Sequence, residues 1–355
     1  MKLVIAPDKF AGTLTAGQAA RALAAGWCSI RPDDELVLLP MSDGGPGFCA
    51  VLKGALPAAR EIEVTTTDPL GRATTAVLLF AGETAYVESA QAVGLHLLRK
   101  AERDPEKASS AGLAVLLAGA VDAGARTIVV GLGGSATNDG GRGMVDALRE
   151  GTRSGRFSTD TLRALRDVDL VIASDVANPL LGPAGASAVF GPQKGASREA
   201  VARLEGRMQE WVRELPGLGD VASQPGAGAA GGLGAAFLWL GARREPGAAL
   251  VGSLLGLEAQ VEVADLVITG EGSYDSTSLR NKVVATVASA AQQTALPCLV
   301  VAGQISVGRR EAAAHGVDEA IALEDLAGSV AAAMANAKSW VTTAAAQLAG
   351  RWGSA

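Results

Sequence analysis

Apolar residues in this chain fall into two kinds of pattern. Short β-branched and leucine-rich runs predict strands at Lys2–Ala6, Leu36–Pro40, Glu61–Thr67, Thr74–Phe80, Thr84–Ser89, Thr127–Gly131, Leu170–Ala173, Asp265–Thr269, Cys298–Ala302 and Glu319–Leu323. Helical periodicity marks Ala16–Trp27, Gly47–Lys53, Lys282–Ala291 and Ser329–Leu348, and a helix-rich stretch spans Arg198–Leu240. Glu61–Thr67, Thr74–Phe80 and Thr84–Ser89 are joined by Asp68-Pro69-Leu70-Gly71 and Ala81-Gly82-Glu83, tight turns that predict antiparallel pairing. The two ends of the chain together alternate strand and helix over five strands, which predicts a doubly wound parallel sheet. The simplest architecture is an α/β domain built from residues 1–59 and 256–355, with a second α/β domain inserted at 60–255 and the active site in the cleft between them.

Length and composition narrow the classes. The chain has 355 residues, 48% hydrophobic and 19% charged, which is globular and suits one or two domains. Net charge is −6, and no basic block with interleaved aromatics occurs, so nucleic acid is not expected as a partner. No apolar run approaches the ~20 residues of a membrane span, and the first residues read as a strand rather than a signal peptide. Cys28, Cys49 and Cys298 are odd in number and lack metal-ligand spacing, which predicts a cytoplasmic protein. His96 and His315 are the sole histidines, so a histidine-based triad or metal site is not expected.

Glycine, at 45 residues, is nearly twice as common as usual and is clustered. In an open α/β sheet, ligands sit beyond the carboxyl ends of the strands. The segments there are Asp8-Lys9-Phe10, Ser42-Asp43-Gly44-Gly45, Gly270-Glu271-Gly272-Ser273-Tyr274-Asp275 and Gly303-Gln304. Asp8 and Lys9 read as an acid–base pair or as a turn cap. Asp43 reads as a Mg²⁺ ligand or as part of an Asp-Gly turn into a helix. Between a strand and a helix, Gly131–Gly141 carries Gly133, Gly134, Ser135, Asn138 and Asp139, a composition suited to cradling an anion on backbone N–H groups. Its spacing matches neither a P-loop nor a dinucleotide fingerprint. Asp175 follows another strand, where it suits proton acceptance or metal binding, and Asn178-Pro179 is a turn signal. Lys194, on Phe190-Gly-Pro-Gln-Lys-Gly195, reads equally as a phosphate contact or a solvated lysine. Small residues in Gly226–Phe237 read as close helix packing or as a glycine-rich helix start that meets a ligand, with packing favoured. Lys282 begins a helix, where its ammonium and the helix dipole both favour a phosphate.

These clusters together resemble the bacterial, non-P-loop glycerate kinase family. The resemblance rests on Ala6-Pro-Asp-Lys-Phe10 with Leu14-Thr-Ala16, Ser42-Asp-Gly-Gly45, Val87-Glu-Ser-Ala90 with Gly94-Leu95, Gly131–Gly141 with Gly143-Met144, Asp175-Val176 with Asn178-Pro-Leu180 and Gly185-Ala186, Phe190–Gly195, and Thr269-Gly-Glu-Gly272 with Asp275 and Lys282. It implies a flavodoxin-like domain with a second α/β domain inserted, and ATP-dependent phosphorylation of D-glycerate to 2-phosphoglycerate, with 3-phosphoglycerate as the alternative product. Expected small-molecule partners are D-glycerate and ATP with Mg²⁺, in a monomer or homodimer away from membranes.

The expected roles follow residue by residue. Lys9, Asp175 and Asp275 are catalytic candidates. Asp8, Gly133, Gly134, Ser135, Asn138, Asp139 and Asn178 bind substrate. Gly270, Glu271, Gly272 and Lys282 meet the nucleotide, and Asp43 and Glu271 hold the metal. Pro46, Thr277 and Asn281 depart from the family pattern, Pro46 removing a carboxylate and Asn281 adding a β-carbon where glycine is usual. The alternatives are a kinase of another small hydroxy acid and a non-catalytic ligand-sensing protein of the same fold. No helix-turn-helix extension or basic patch favours a regulator.

Overall fold

The computed structural model of the chain describes residues 1–157, 160–279 and 282–352. The strands are β1 (Lys2–Ile5), β2 (Glu35–Leu38), β3 (Arg60–Thr67), β4 (Ala73–Ala81), β5 (Thr84–Glu88), β6 (Thr127–Gly131), β7 (Asp169–Ala173), β8 (Arg243–Glu245), β9 (Leu266–Tyr274), β10 (Cys298–Ile305) and β11 (Glu319–Ala322). They form two sheets in two compact units, Met1–Asp43 with Pro246–Ala355, and Gly44–Glu245. The sequence pattern set the junctions later, at 59/60 and 255/256. Helix Phe48–Ala55 packs on β4 and β5 of the second unit, and helix Gly247–Leu255 packs on helices of the first.

The first unit holds a parallel five-stranded sheet in the order β11-β10-β9-β1-β2. Counted within the unit this is the 2-1-3-4-5 order of the flavodoxin-like fold. Leu3, Ile5, Leu266, Ile268, Leu299 and Val301 share one core with helices Ala16–Cys28 and Ala337–Trp352. Alternation along the strands turns Val4, Val267 and Val300 to the opposite face, and helix Val283–Gln293 packs against β9 and β10. The sheet is thus wound on both sides. Thr15 caps the first helix in a reciprocal capping box with Gln18. The single closing helix expected over Ser329–Leu348 is instead two, Val330–Ala335 and Ala337–Trp352. Asn336 leaves helical geometry at φ −132°, ψ 39° between them, and Ser329 caps the first.

In the second unit, β3, β4 and β5 pair antiparallel as the tight turns predict, and β5 to β8 pair parallel. The pattern gives no sign of β8, because Arg243-Arg244-Glu245 is a charged edge strand rather than an apolar one. The core joins Leu78, Val87, Ile128, Val130 and Ile172 to Leu113, Leu117, Met144 and Phe237 from the helices. The three cysteines are free thiols. No helix among the described residues is long and apolar enough to cross a membrane.

Helix Ala16–Cys28 lies against Ala337–Trp352 closely enough that a β-carbon on Gly26 would run into the carbonyl oxygen of Thr342. Alanine has higher helix propensity than glycine by about 1 kcal/mol, but backbone cannot move aside as a side chain can. Gly26→Ala is expected to lower unfolding free energy by about 1–3 kcal/mol. Gly206→Ala, in helix Arg198–Glu214 with nothing within 4 Å of the added carbon, is expected to raise it by about 0.5–1 kcal/mol. Denaturant unfolding of the two variants checks the opposite signs.

Candidate functional site

The reversal of connection between β1 and β9 leaves a crevice at the carboxyl ends of the first sheet. A cavity of about 410 Å³ lies there, lined by Asp8, Lys9, Asp43, Glu271, Gly272, Asp275 and Lys282. The expected catalytic, metal and nucleotide residues of this unit are therefore brought together. Gly270 sits behind them in β9. A side chain on it would collide with the carbonyl oxygen of Val301.

One expectation is corrected here. Gly270–Tyr274 and Gly303-Gln304 form no loops after their strands but continue β9 and β10, still paired at Gln304↔Ser273 and Ile305↔Tyr274. A β-carbon on Gly303 would strike the carbonyl of Gly272, so glycine lets the two backbones stay this close beyond the core. Sequence reasoning did not single out the apolar end of the cavity, formed by Leu323, Val330, Ala333 and Met334. Those residues read as ordinary core in the linear pattern.

Charge in the cavity is arranged around Lys9. Its Nζ donates to Asp43 Oδ1 at 3.0 Å and to Asp8 Oδ1 at 3.3 Å. Asp8 Oδ1 also accepts the Lys9 N–H at 2.7 Å. Burial pushes Asp8 up to about 6, helped by the Asp43 charge and opposed by Lys9. Burial alone would lower Lys9, but Asp43 and Asp8 overcome it and hold the ammonium above its usual value. Burial also pushes Glu271 up to about 7, against the pull of Ser278 and Lys282. Its Oε1 is buried without a hydrogen-bond partner among the described residues.

Around Lys282 the partners are local. Asp275 Oδ1 accepts from the Thr277 N–H at 2.8 Å and its hydroxyl at 2.6 Å, and Lys282 Nζ donates to Thr277 Oγ1 at 2.8 Å. Burial raises the Asp275 carboxyl, but the Thr277 bonds outweigh it and leave it below its usual range. Thr277 thus ties the acid to the lysine, while Asn281 lies outside the described residues.

An unpaired, buried carboxylate oxygen suits a hard cation. Mg²⁺ takes one or two protein carboxylates and completes its shell with water and phosphate oxygens. Glu271 and Asp43 fit that donor set. No group of three or more such ligands occurs among the described residues.

The second unit carries its own cluster in the loop after β6. Gly133 and Gly134 lie against the turn at 44–47, where β-carbons on them would fall 2.6 Å from Gly45 Cα and 2.7 Å from Pro46 Cγ. Gly134 also has φ +67°. These glycines are required for close approach within the protein. Asp139 accepts from Ser110 N–H and Oγ, Gly141 N–H and Gly143 N–H, and so orders the loop and the start of helix Arg142–Arg153. Asn138 Nδ2 donates to Ser187 Oγ at 2.9 Å.

Behind the loop, Ala230, Gly231 and Gly232 all take left-handed geometry, and Gly140 N–H donates to the Gly231 carbonyl. The glycines expected to pack one helix closely on another instead break the helix and carry its backbone against the loop after β6. Lys194 is buried rather than solvated, with Nζ bonded to Ser135 Oγ. Asn178 Nδ2 donates to the Ala184 carbonyl at 2.8 Å, within its own segment. Asp175 follows β7. Glu88, part of the motif Val87-Glu-Ser-Ala90 but given no role from the sequence, accepts the N–H groups of Gly47 and Cys49 and fixes the start of helix Phe48–Ala55.

Carboxylates and lysines gathered at the switch point of a doubly wound sheet suit a phosphotransferase. The chain belongs to the glycerate kinase family, whose model matches residues 3–353, and is a kinase. It is 43% identical over 360 residues to an uncharacterised protein of Mycobacterium tuberculosis (strain CDC 1551 / Oshkosh), covering 99% of this chain and 92% of that protein. It is 38% identical over 341 residues to the glycerate 2-kinase of Escherichia coli (strain K12), covering 90% and 89%. A crystal structure from Salmonella typhimurium LT2, assigned as glycerate kinase 2, superposes with a TM-score of 0.75 at 37% identity over 99% of this chain and 98% of that one.

Lys9 stabilises Asp8 and Asp43 in their charged forms, and Asp8 titrates near 6. Its contribution is therefore present above that pH and fades as Asp8 takes up a proton below it. With divalent metal chelated, Lys9→Met is expected to lower unfolding free energy by about 1–3 kcal/mol at pH 8 and by distinctly less at pH 5. Equal losses at both pH values in urea unfolding would contradict this electrostatic account.

Proposed function

We propose that this chain transfers the γ-phosphoryl group of ATP to the 2-hydroxyl of D-glycerate, giving ADP and 2-phosphoglycerate. The observation that carries the reading is the switch-point cavity in which Lys9, held by Asp8 and Asp43, shares walls with Glu271 and Lys282. The family match and the name of the Escherichia coli relative support the acceptor. Lys282 meets the nucleotide phosphates as a cation. Glu271 and Gly272 line the cavity wall that the phosphates meet, with Gly270 behind them in β9.

Lys9 stabilises the charge that spreads over the transferring group. Gly133, Gly134, Ser135 and Asn138 hold glycerate on a loop ordered by Asp139, with Asp8 and Asn178 as further contacts. In the transfer, the glycerate hydroxyl oxygen bonds to the γ-phosphorus as the bond to the β–γ bridging oxygen breaks. Asp175 or Asp275 accepts the hydroxyl proton. Asp43 and Glu271 would hold Mg²⁺, which would supply charge neutralisation to the phosphates.

ADP release with D-glycerate, followed by phosphorus NMR of the product, tests the reading; the expected product is 2-phosphoglycerate. Lys9→Met is expected to reduce kcat by about 10²–10³-fold. One of Asp175→Asn and Asp275→Asn is expected to reduce it by about 10²–10⁴-fold. Near-normal turnover in both Asn variants refutes the assignment of the base. No turnover of D-glycerate beside rapid turnover of another hydroxy acid refutes the assignment of the acceptor.

A further inference from the structure

In the second unit a lysine is buried with neutral groups as its hydrogen-bond partners. Lys194 is 3% exposed, on the turn Pro192–Lys194. Its Nζ donates to Ser135 Oγ at 2.9 Å and to the Thr137 carbonyl oxygen at 2.6 Å, both on the loop after β6. An ammonium offers three donors, and both of these acceptors are uncharged. On the segments around it the charged or titratable groups are Asp139 on the loop, His96 on the turn whose Gly94 pairs with Ser135, and Arg103, whose backbone abuts Gly195. Of these, Asp139 acts on the lysine through its charge, and its carboxylate is engaged by Ser110, Gly141 and Gly143.

The same loop buries two further polar atoms, Thr137 Oγ1 and Asn138 Oδ1, with no hydrogen-bond partner among the described residues. Unpartnered buried polar atoms are costly, and a buried cation lacking a bonded counter-ion more so. Water can complete such groups one by one, but a single ligand that completes all three carries a negative charge, an acceptor for the Thr137 hydroxyl and a donor for Asn138 Oδ1. A small carboxylate bearing a hydroxyl has all three.

We propose that Lys194, beneath the loop Gly133–Asn138 assigned above to the hydroxy acid, is a positioning residue of that subsite, acting through Ser135 and Thr137 and gaining a proton when the acid's carboxylate binds. Burial pulls Lys194 down to about 7, with Asp139 opposing, so without ligand it is largely neutral at pH 8. A bound anion favours the ammonium, so binding takes up protons above pH 7 and weakens toward tenfold per pH unit there. The choice of D-glycerate as probe rests on the function proposed above.

Isothermal titration of the full chain with D-glycerate, without ATP, at pH 6 and 8 in buffers of differing ionisation enthalpy, measures the linkage. Uptake approaching one proton at pH 8 and near none at pH 6 is expected. Lys194→Met is expected to abolish the uptake and to weaken binding at pH 6 by about tenfold or more. Lys194→Arg, always charged, is expected to bind without uptake. Glycolate, D-lactate and tartrate are titrated in parallel. Proton-linked binding of one of these in place of D-glycerate supports the subsite and overturns the acceptor assigned above. Binding of D-glycerate with no proton uptake at pH 8, or no binding by any of the four acids, overturns the subsite. Turnover of D-glycerate under the first of those outcomes leaves the proposed reaction standing.

Discussion

A parallel strand can be followed by a parallel neighbour on either side, and in the first sheet the chain changes side once, between β1 and β9. Everything chemical in that unit depends on this reversal. Connections that leave the sheet in opposite directions cannot cover the strand ends between them, so a crevice stays open where Asp8, Lys9 and Glu271 leave the core. Burial then does the electrostatic work. It pushes Asp8 and Glu271 toward neutrality and draws Lys9 between Asp8 and Asp43 as their counter-charge.

The two units handle buried charge differently. In the first, cation and carboxylates are adjacent and partly neutralise one another. In the second, Lys194 has hydroxyl and carbonyl partners, while the nearby carboxylate of Asp139 is occupied by Ser110 and two backbone N–H groups. In the first, the paired carboxylates keep Lys9 charged despite burial; in the second, burial draws Lys194 toward its neutral form.

Glycine serves backbone proximity at several crossings. Gly133 against Gly45, Gly303 against Gly272, and Gly231 against Thr137 are each places where one chain segment runs over another without room for a β-carbon. An anion cradle and a crowded crossing need the same residue for different reasons, so the glycine clusters advertised both. Asp139 shows the same ambiguity: its position on a glycine loop suited ligand binding, and its oxygens are spent on ordering that loop.

The alternation of apolar runs with helical periodicity determined both sheets, the antiparallel start of the second, and the set of strand ends at which acids appear, because burial of each strand and helix face is decided locally by residue type. The linear pattern missed β8, whose charged edge needs no apolar run. It also missed the extension of β9 through Gly270–Tyr274, which depends on a partner strand distant in sequence, and the break at Asn336. Tertiary structure alone decided that Lys194 is buried rather than solvated, that Thr277 links Asp275 to Lys282, and that Asp43 faces Lys9. Residue type sets what a side chain is able to do. Its protonation and partners depend on groups brought together through space, and spacing along the chain does not encode those.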